Sequence, residues 1–265
     1  MIVVKAGGRA LLSNITGIAN SIASRAKTLG GIVFVHGGGD LVSEYSSRLG
    51  IEPKFVTSPT GIRSRYTDLD ELEVYVMVMC GKINKEVVSA INRFGANSVG
   101  ISGIDGPTLL AERKKKIVIV DERGRKRVIE GGYTGQIVSV KTGLVSRLLE
   151  EGYVVVVAPV ATGTEGEALN VDGDSAAAAI AVELRAERLL FLTDVEGVYY
   201  EDRLLGTLNP DQGLEIASKI GPGMNRKLML AARAVKSGVA SAIISNGTIP
   251  DPLSALDGSR GTLVR

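Results

Sequence analysis

The chain has 265 residues, 45% of them hydrophobic, and a formal net charge of +2. That length can bury the core of one large α/β unit or of two lobes, and a charge so near zero argues against a nucleic-acid-binding protein. Cys80 is the only cysteine, which excludes an intramolecular disulfide and a cysteine-rich metal site and fits a cytoplasmic setting. No apolar stretch is long and uncharged enough to span a bilayer. Met1–Lys5 reads as a strand running into a glycine turn rather than as a signal peptide. Glutamine is confined to Gln136 and Gln212, a depletion of thermolabile amides that suits a thermophile.

Short β-branched runs alternate with longer amphipathic segments along the chain. This predicts an α/β fold with a largely parallel central sheet and helices on both faces. Strands are expected at Ile2–Val4, Ile32–Val35, Ser98–Ile101, Tyr153–Ala158, Leu189–Leu192 and Ala240–Ile244. Helices are expected at Ile15–Leu29, Asp40–Leu49, Asp68–Phe94, Thr142–Glu151, Asp174–Leu184, Asp211–Ile220 and Met224–Ser237. Asp40, Asp68, Thr142 and Asp174 stand where N-caps belong. Between Leu109 and Ile137 the rhythm breaks into two strand-like runs, Ile117–Val120 and Lys126–Ile129, joined by Asp-Glu-Arg-Gly, the pattern of a β-hairpin within residues 112–130. No Pro/Ser linker divides the chain. Any boundary is therefore a cleft within one continuous sheet, placed near Val171 to give lobes of residues 1–171 and 172–265.

Glycines collect where predicted strands end, and in parallel α/β proteins those ends meet in a crevice with helix N-termini. Lys5-Ala6-Gly7-Gly8-Arg9 follows the first strand and His36-Gly37-Gly38-Gly39-Asp40 the second. Either turn alone could be an ordinary strand-to-helix connection; together they could grip one polyphosphate through backbone N–H groups. Neither is a Walker A loop, and no G-x-G-x-x-G follows a strand. Further on, Asn170-Val171-Asp172-Gly173-Asp174 meets an alanine-rich helix. Asp174 could simply cap that helix, or Asn170, Asp172 and Asp174 could alternate toward one site as on a strand end. Thr193-Asp194-Val195-Glu196-Gly197-Val198 leaves another strand, and Gly221-Pro222-Gly223-Met224-Asn225-Arg226-Lys227 opens a helix with a lysine that could equally be a surface residue.

Taken in order, these segments resemble the amino acid kinase family. The resemblance also draws on Gly61-Ile62-Arg63 and Ser102-Gly103-Ile104-Asp105-Gly106 and spans the whole chain. It is nearest to the N-acetylglutamate kinase branch. Three departures, Asn170-Val171-Asp172-Gly173-Asp174, the extended Arg63-Ser64-Arg65-Tyr66-Thr67-Asp68, and Glu130-Gly131-Gly132-Tyr133-Thr134-Gly135, look like the members that act on aminoadipate or glutamate attached to a LysW-type carrier protein.

The resemblance implies ATP with Mg2+, no metal held by the protein directly, a homodimer, and an acyl-phosphate product in lysine or arginine biosynthesis. It implies that Lys5 and Lys227 are catalytic, with Asp174 holding both ammonium groups. Gly7, Gly8, Gly37 and Gly38 would donate N–H groups to phosphate, and Gly37 and Gly38 would also border the amino acid. Arg63 and Asn170 would bind the amino acid, residues 1–171 forming the substrate and dimer lobe and 172–265 the ATP lobe. Thr193, Asp194, Val198, Tyr199, Gly223 and Met224 would line the nucleotide site. A carboxylate is already ionised at neutral pH, so the reaction needs no general base, and the near-absence of histidine is no obstacle.

From Glu112 to Val128 eight basic residues face three acidic ones, a local excess larger than the charge of the whole chain. Taken alone this is a solvated edge hairpin. Beside Arg63, the residues Arg65, Lys114, Lys115, Lys116, Arg125, Lys126 and Arg127 could form a basic surface for an acidic carrier. The rivals are an enzyme of the same fold acting on free N-acetylglutamate and a catalytically silent nucleotide sensor.

Overall fold

The computed structural model describes residues 1–59, 61 and 63–265, so Ile62 of the Gly-Ile-Arg motif lies outside the described residues. The chain opens with β1 (Ile2–Ala6), α1 (Gly8–Arg25), β2 (Ile32–His36) and α2 (Gly39–Arg48). A ribbon of β3 (Lys54–Thr57) and β4 (Arg63–Tyr66) precedes α3 (Leu69–Val76), a π-helical stretch at Met77–Ile83, and α4 (Asn84–Arg93). Then come β5 (Ser98–Ser102), β6 (Leu109–Arg113), β7 (Lys116–Val120), β8 (Lys126–Glu130), β9 (Gly135–Val140) and α5 (Gly143–Glu150). They are followed by β10 (Val154–Ala158), β11 (Val160–Gly163), β12 (Ala168–Asn170), α6 (Gly173–Glu183) and β13 (Arg188–Thr193). The last part holds β14 (Tyr199–Tyr200), β15 (Arg203–Leu204), β16 (Thr207–Leu208), α7 (Pro210–Ala217), α8 (Met224–Lys236), β17 (Ser241–Asn246) and β18 (Thr262–Val264).

The main sheet has the order β16-β18-β17-β13-β1-β2-β10-β5 and is parallel except where β18 runs against β17. β1 lies inside it, and the chain leaves β1 toward β2 on one side but leaves β13 toward β17 on the other. The gap above β1 and β13 is thus the switch point at which open α/β sheets form a crevice. Strands from before residue 171 fill the half from β1 to β5, and strands after it fill the rest.

Two cores follow from the alternation of strand side chains. Val3, Val33, Val35, Val155, Val157 and Phe191 face α6 and α8. Ile2, Val4, Phe34 and Val156 pack in the second core with Ile18 and Ile22 of α1 and Val87 and Ile91 of α4. The alanines of α6 let it sit directly over β1, β2 and β13. A second sheet, β12-β11-β6-β9, and the separate pair β7–β8 flank the main one.

Several sequence expectations are corrected here. The helix expected from Ile15 is the second limb of α1: a first limb starts at Gly8 straight out of the glycine turn, the backbone kinks at Asn14 (φ −145°, ψ 39°), and the helix ends at Arg25 rather than Leu29. The segment expected as one helix from Asp68 to Phe94 contains the π stretch, which brings Met79 and Ile83 against the Gly38 turn; a Cβ on Gly38 would lie 2.0 Å from Ile83 Cδ1. Asp68 does cap α3, accepting from the Glu71 N–H at 3.0 Å. Thr142 stands at the N-cap of α5 as expected, though without a side-chain bond; two caps differ, with Gly38 at the N-cap of α2 and Asp40 inside its first turn, and Asp172 rather than Asp174 capping α6. The ribbon β3–β4 and the second sheet have short, half-exposed strands whose alternation the sequence does not display clearly.

Phe191 is fully buried where β13 faces the α6–α8 layer. Phe191→Ala is expected to lower unfolding free energy by about 3–5 kcal/mol, read as a shifted midpoint in chemical denaturation; an unchanged midpoint contradicts this account of the core.

Candidate active site

Lys5 shares the parity of Val3 on β1, so its side chain lies on the face covered by α6 and α8, at the carboxyl end of the strand. The first turns of α6 and α8 meet it there. Asp172 caps α6 through the Ser175 N–H at 2.8 Å, which frees Asp174 to turn toward the lysines. Lys5 Nζ stands 2.7 Å from Asp174 Oδ1 as an ion pair. Lys227 Nζ donates to Oδ2 at 2.8 Å. The three side chains are 8%, 8% and 17% exposed for Lys5, Asp174 and Lys227. Burial works to raise the carboxyl of Asp174; the charges of Lys5 and then Lys227 outweigh it and hold the group well below the usual carboxylate range. One carboxylate between two ammonium groups leaves the triad itself with one net positive charge.

Beside this triad a cavity of about 240 Å³ is bordered by Lys5, Gly7, Gly8, Arg9, Asp40, Thr193, Asp194 and Lys227, at the switch point. The two glycine turns are pressed together: a Cβ on Gly37 would lie 2.9 Å from the Gly8 nitrogen, and one on Gly8 would lie 3.1 Å from the Gly38 nitrogen. The expectation that all four glycines offer N–H groups to phosphate is corrected for two of them. The Gly7 N–H is spent on the Leu192 carbonyl at 3.1 Å and the Gly37 N–H on the Ala6 carbonyl at 2.9 Å, because both continue the parallel ladder past the strand ends. Donors toward the cavity come from the first turns of α1 and α2, which start at Gly8 and Gly39.

A cavity of about 380 Å³ extends from there past Thr193, Asp194, Tyr199, Gly223, Met224 and Lys227. Val198, expected at the nucleotide, is instead fully buried, with its N–H donated to Thr262 Oγ1 at 2.9 Å. On the other side of the triad a cavity of about 620 Å³ is bordered by Lys5, Gly37, Gly38, Arg63, Asn170 and Asp172. Asn170 Nδ2 donates to Thr67 Oγ1 at 2.9 Å. The Arg63 guanidinium lies 4.4 Å from the centre of the Phe55 ring. Ile117, Val118 and Ile119 of β7 also border this cavity.

Tyr75 of α3 and Met79 of the π stretch border the same cavity, and nothing in the sequence marks them apart from the apolar residues around them. The Asp172–Arg226 ion pair at 3.2 Å, between the starts of α6 and α8, had no sequence signal either.

Arg65 is also corrected. Its side chain is 9% exposed and paired with Glu71, so it presents no surface charge. The remaining basic residues of the expected surface, Lys114, Lys115, Lys116, Arg125, Lys126 and Arg127, are exposed, with Lys115 paired to Glu165 and with Arg125 and Arg127 sharing Asp121.

The single histidine, His36, ends β2 on the opposite face and is wholly buried. Burial lowers its pKa to about 4, with a smaller opposing effect from the Gly37 carbonyl and further lowering by Lys5 and Lys85.

A parallel sheet that gathers two glycine turns, the starts of several helices and a lysine–aspartate–lysine triad at one edge is the arrangement of a phosphoryl-transfer enzyme. The sequence model of the amino acid kinase family matches residues 1–246, and the chain belongs to that family. It is 49% identical over 263 residues to a protein of Metallosphaera sedula named LysW-aminoadipate/LysW-glutamate kinase, with 99% of each chain covered. A protein of the same name from Sulfolobus acidocaldarius is 49% identical over 266 residues, covering all of both chains. Carbamate kinase from Giardia lamblia bound to AMP-PNP superposes with a TM-score of 0.70 over 99% of this chain and 97% of that one, at 17% identity, and shares the fold.

Because the folded His36 resists protonation while an unfolded histidine titrates near 6.5, its contribution to stability is complete above pH 6.5. It is lost as pH falls toward 4, by roughly 3 kcal/mol over that span. His36→Gln should flatten the stability slope between pH 6.5 and 4, measured by denaturation at a series of pH values. An unaltered slope contradicts the assignment.

Proposed function

We propose that this chain transfers the γ-phosphate of ATP to the side-chain carboxylate of aminoadipate or glutamate held on a LysW-type carrier protein, giving an acyl phosphate for lysine or arginine biosynthesis. The observation that carries the reading is the buried Lys5–Asp174–Lys227 triad lying between a glycine-lined cavity and an arginine-bearing one. Full-length similarity to two proteins that bear this name supports the choice of substrate.

In this reading residues 172–265 hold most of the nucleotide and residues 1–171 the amino acid. Adenosine occupies the cavity beside Tyr199, Gly223 and Met224, and the phosphates lie against the starts of α1 and α2. Mg2+ would travel with the nucleotide on phosphate oxygens, with Asp40 and Asp194 the carboxylates nearest that cavity. Arg63 offers a planar fork to the substrate's α-carboxylate, and Asn170 orients neighbouring polar atoms.

The attacking carboxylate oxygen forms a bond to the γ-phosphorus as the bond to the ADP oxygen breaks. No proton has to move. The difficulty is repulsion between two anions, and Lys5 and Lys227 offset it: Lys5 beside the transferring group, Lys227 on the leaving ADP side. Asp174 keeps the two ammonium groups apart at fixed positions. The exposed charges at Lys114, Lys115, Lys116, Arg125, Lys126 and Arg127 steer an acidic carrier toward the cavity roofed by β7. The enzyme works as a cytoplasmic homodimer.

Lys5→Ala and Lys227→Ala should each lower kcat by roughly two to three orders of magnitude in a coupled ADP-release assay; near-normal turnover in either variant would sink the triad's role. With purified carrier bearing aminoadipate or glutamate, phosphorylation should far exceed that of free N-acetylglutamate. Rates on the carrier substrate should fall with added salt and with charge reversal at Lys114–Lys116, and a preference for the free compound would refute the carrier reading.

A further inference from the structure

The ribbon β3–β4 carries Arg63 yet belongs to neither large sheet, and its four cross-strand pairs form a two-stranded unit that is marginal by itself. Its exposed ion pair, Lys54 to Asp68 at 2.8 Å, contributes little in water. Arg65 supplies a different kind of attachment. It lies two residues from Arg63 on the same face of β4, and both guanidinium groups stand over the ring of Phe55, at 4.4 Å for Arg63 and 5.0 Å for Arg65.

From there the Arg65 fork reaches three acceptors. It pairs with Glu71 on α3, whose side chain is 3% exposed, donates to the Gly39 carbonyl at 2.7 Å, and donates to Ser43 Oγ on α2. One buried cation thus joins the ribbon, the helix lining the amino acid cavity, and the glycine turn next to the triad.

A buried ion pair is a poor source of net stability, because desolvating both charges offsets their attraction. What this one supplies is direction: three acceptors on two helices, Gly39 and Ser43 on α2 and Glu71 on α3, met by a planar fork that a lysine cannot reproduce. We infer that Arg65 is a positioning residue which, braced by Glu71, sets the distance between Arg63 and the glycine turn and so the span over which the substrate is stretched. This inference rests on the reading of Arg63 as the ligand of the substrate carboxylate. Glu71 and Arg65 act as one unit: Arg65 borders the same cavity as Arg63, but its fork is taken up by Glu71, the Gly39 carbonyl and Ser43.

The test compares R63A, R65M, R63A/R65M and R65M/E71L, using carrier-linked aminoadipate and ATP, with KM and kcat for each substrate and a thermal melt for each variant. R65M should raise KM for the carrier-linked substrate about tenfold while KM for ATP changes by less than about twofold. R63A/R65M should be no worse than R63A, since Arg65 works through Arg63. R65M/E71L, which removes both buried charges, should recover the melting temperature lost in R65M and keep the raised KM. An R65M enzyme with normal KM, multiplied effects in R63A/R65M, or a normal KM restored along with stability in R65M/E71L would each overturn the positioning role. A normal KM in R63A would instead overturn the reading of Arg63, and the brace with it.

Discussion

A carboxylate buried between two lysines imposes the tightest constraint on this molecule. Taking Asp174 out of water costs several kcal/mol, and either lysine alone would leave part of that cost uncompensated. With both within 2.8 Å the carboxylate stays ionised, and the cluster keeps one positive charge in reserve. That excess is of the sign that a site handling two anions requires. To create it, three elements distant in sequence must end at one point: β1, α6 and α8. The small residues along α6 permit this by letting the helix lie close on the sheet, so that its second residue reaches the end of β1.

The glycine turns answer to the same constraint. Gly7 and Gly37 extend the parallel ladder beyond β1 and β2, and their N–H groups are consumed in doing so. Anion-facing donors are left to the helix starts, where partial positive charge accumulates and four N–H groups lack helical partners. Glycine is needed at 8 and 37 because the turns touch, each Cβ position lying within about 3 Å of the other turn's backbone. The cavity face at the two glycine turns is therefore made rigid by sheet hydrogen bonds and close backbone contact rather than by side chains.

The cavity that Arg63 borders is built differently. Its walls are a two-stranded ribbon, the pair β7–β8 and a helix interrupted by a π stretch, none of them inside the main sheet. Such elements need anchoring, and buried polar ties provide it: Asn170 to Thr67 and Arg65 to Glu71. The cavity beside Arg63 thus rests on attachments between peripheral elements, whereas the triad rests on the core. Tyr75 of α3 and Met79 of the π stretch meet at this cavity, a placement that local composition does not announce.

The alternation of apolar runs and glycine turns was enough to determine the parallel α/β class, the positions of the principal strands along the chain, and the candidacy of Lys5, Asp174 and Lys227, because strand period and turn chemistry are local properties. The family resemblance added roles to those residues. Which carboxylate caps α6 and which meets the lysines was decided only in three dimensions: Asp172 and Asp174 are chemically alike, and only packing gives one the Ser175 N–H and the other the two ammonium groups. The same holds for Arg65, a basic residue among basic residues in the sequence, whose side chain the fold buries against Glu71, and for Val198, drawn into the core behind the nucleotide cavity. Sequence names the groups able to carry charge or donate hydrogen bonds; their partners are set by burial, where an unpaired polar group is too costly to remain.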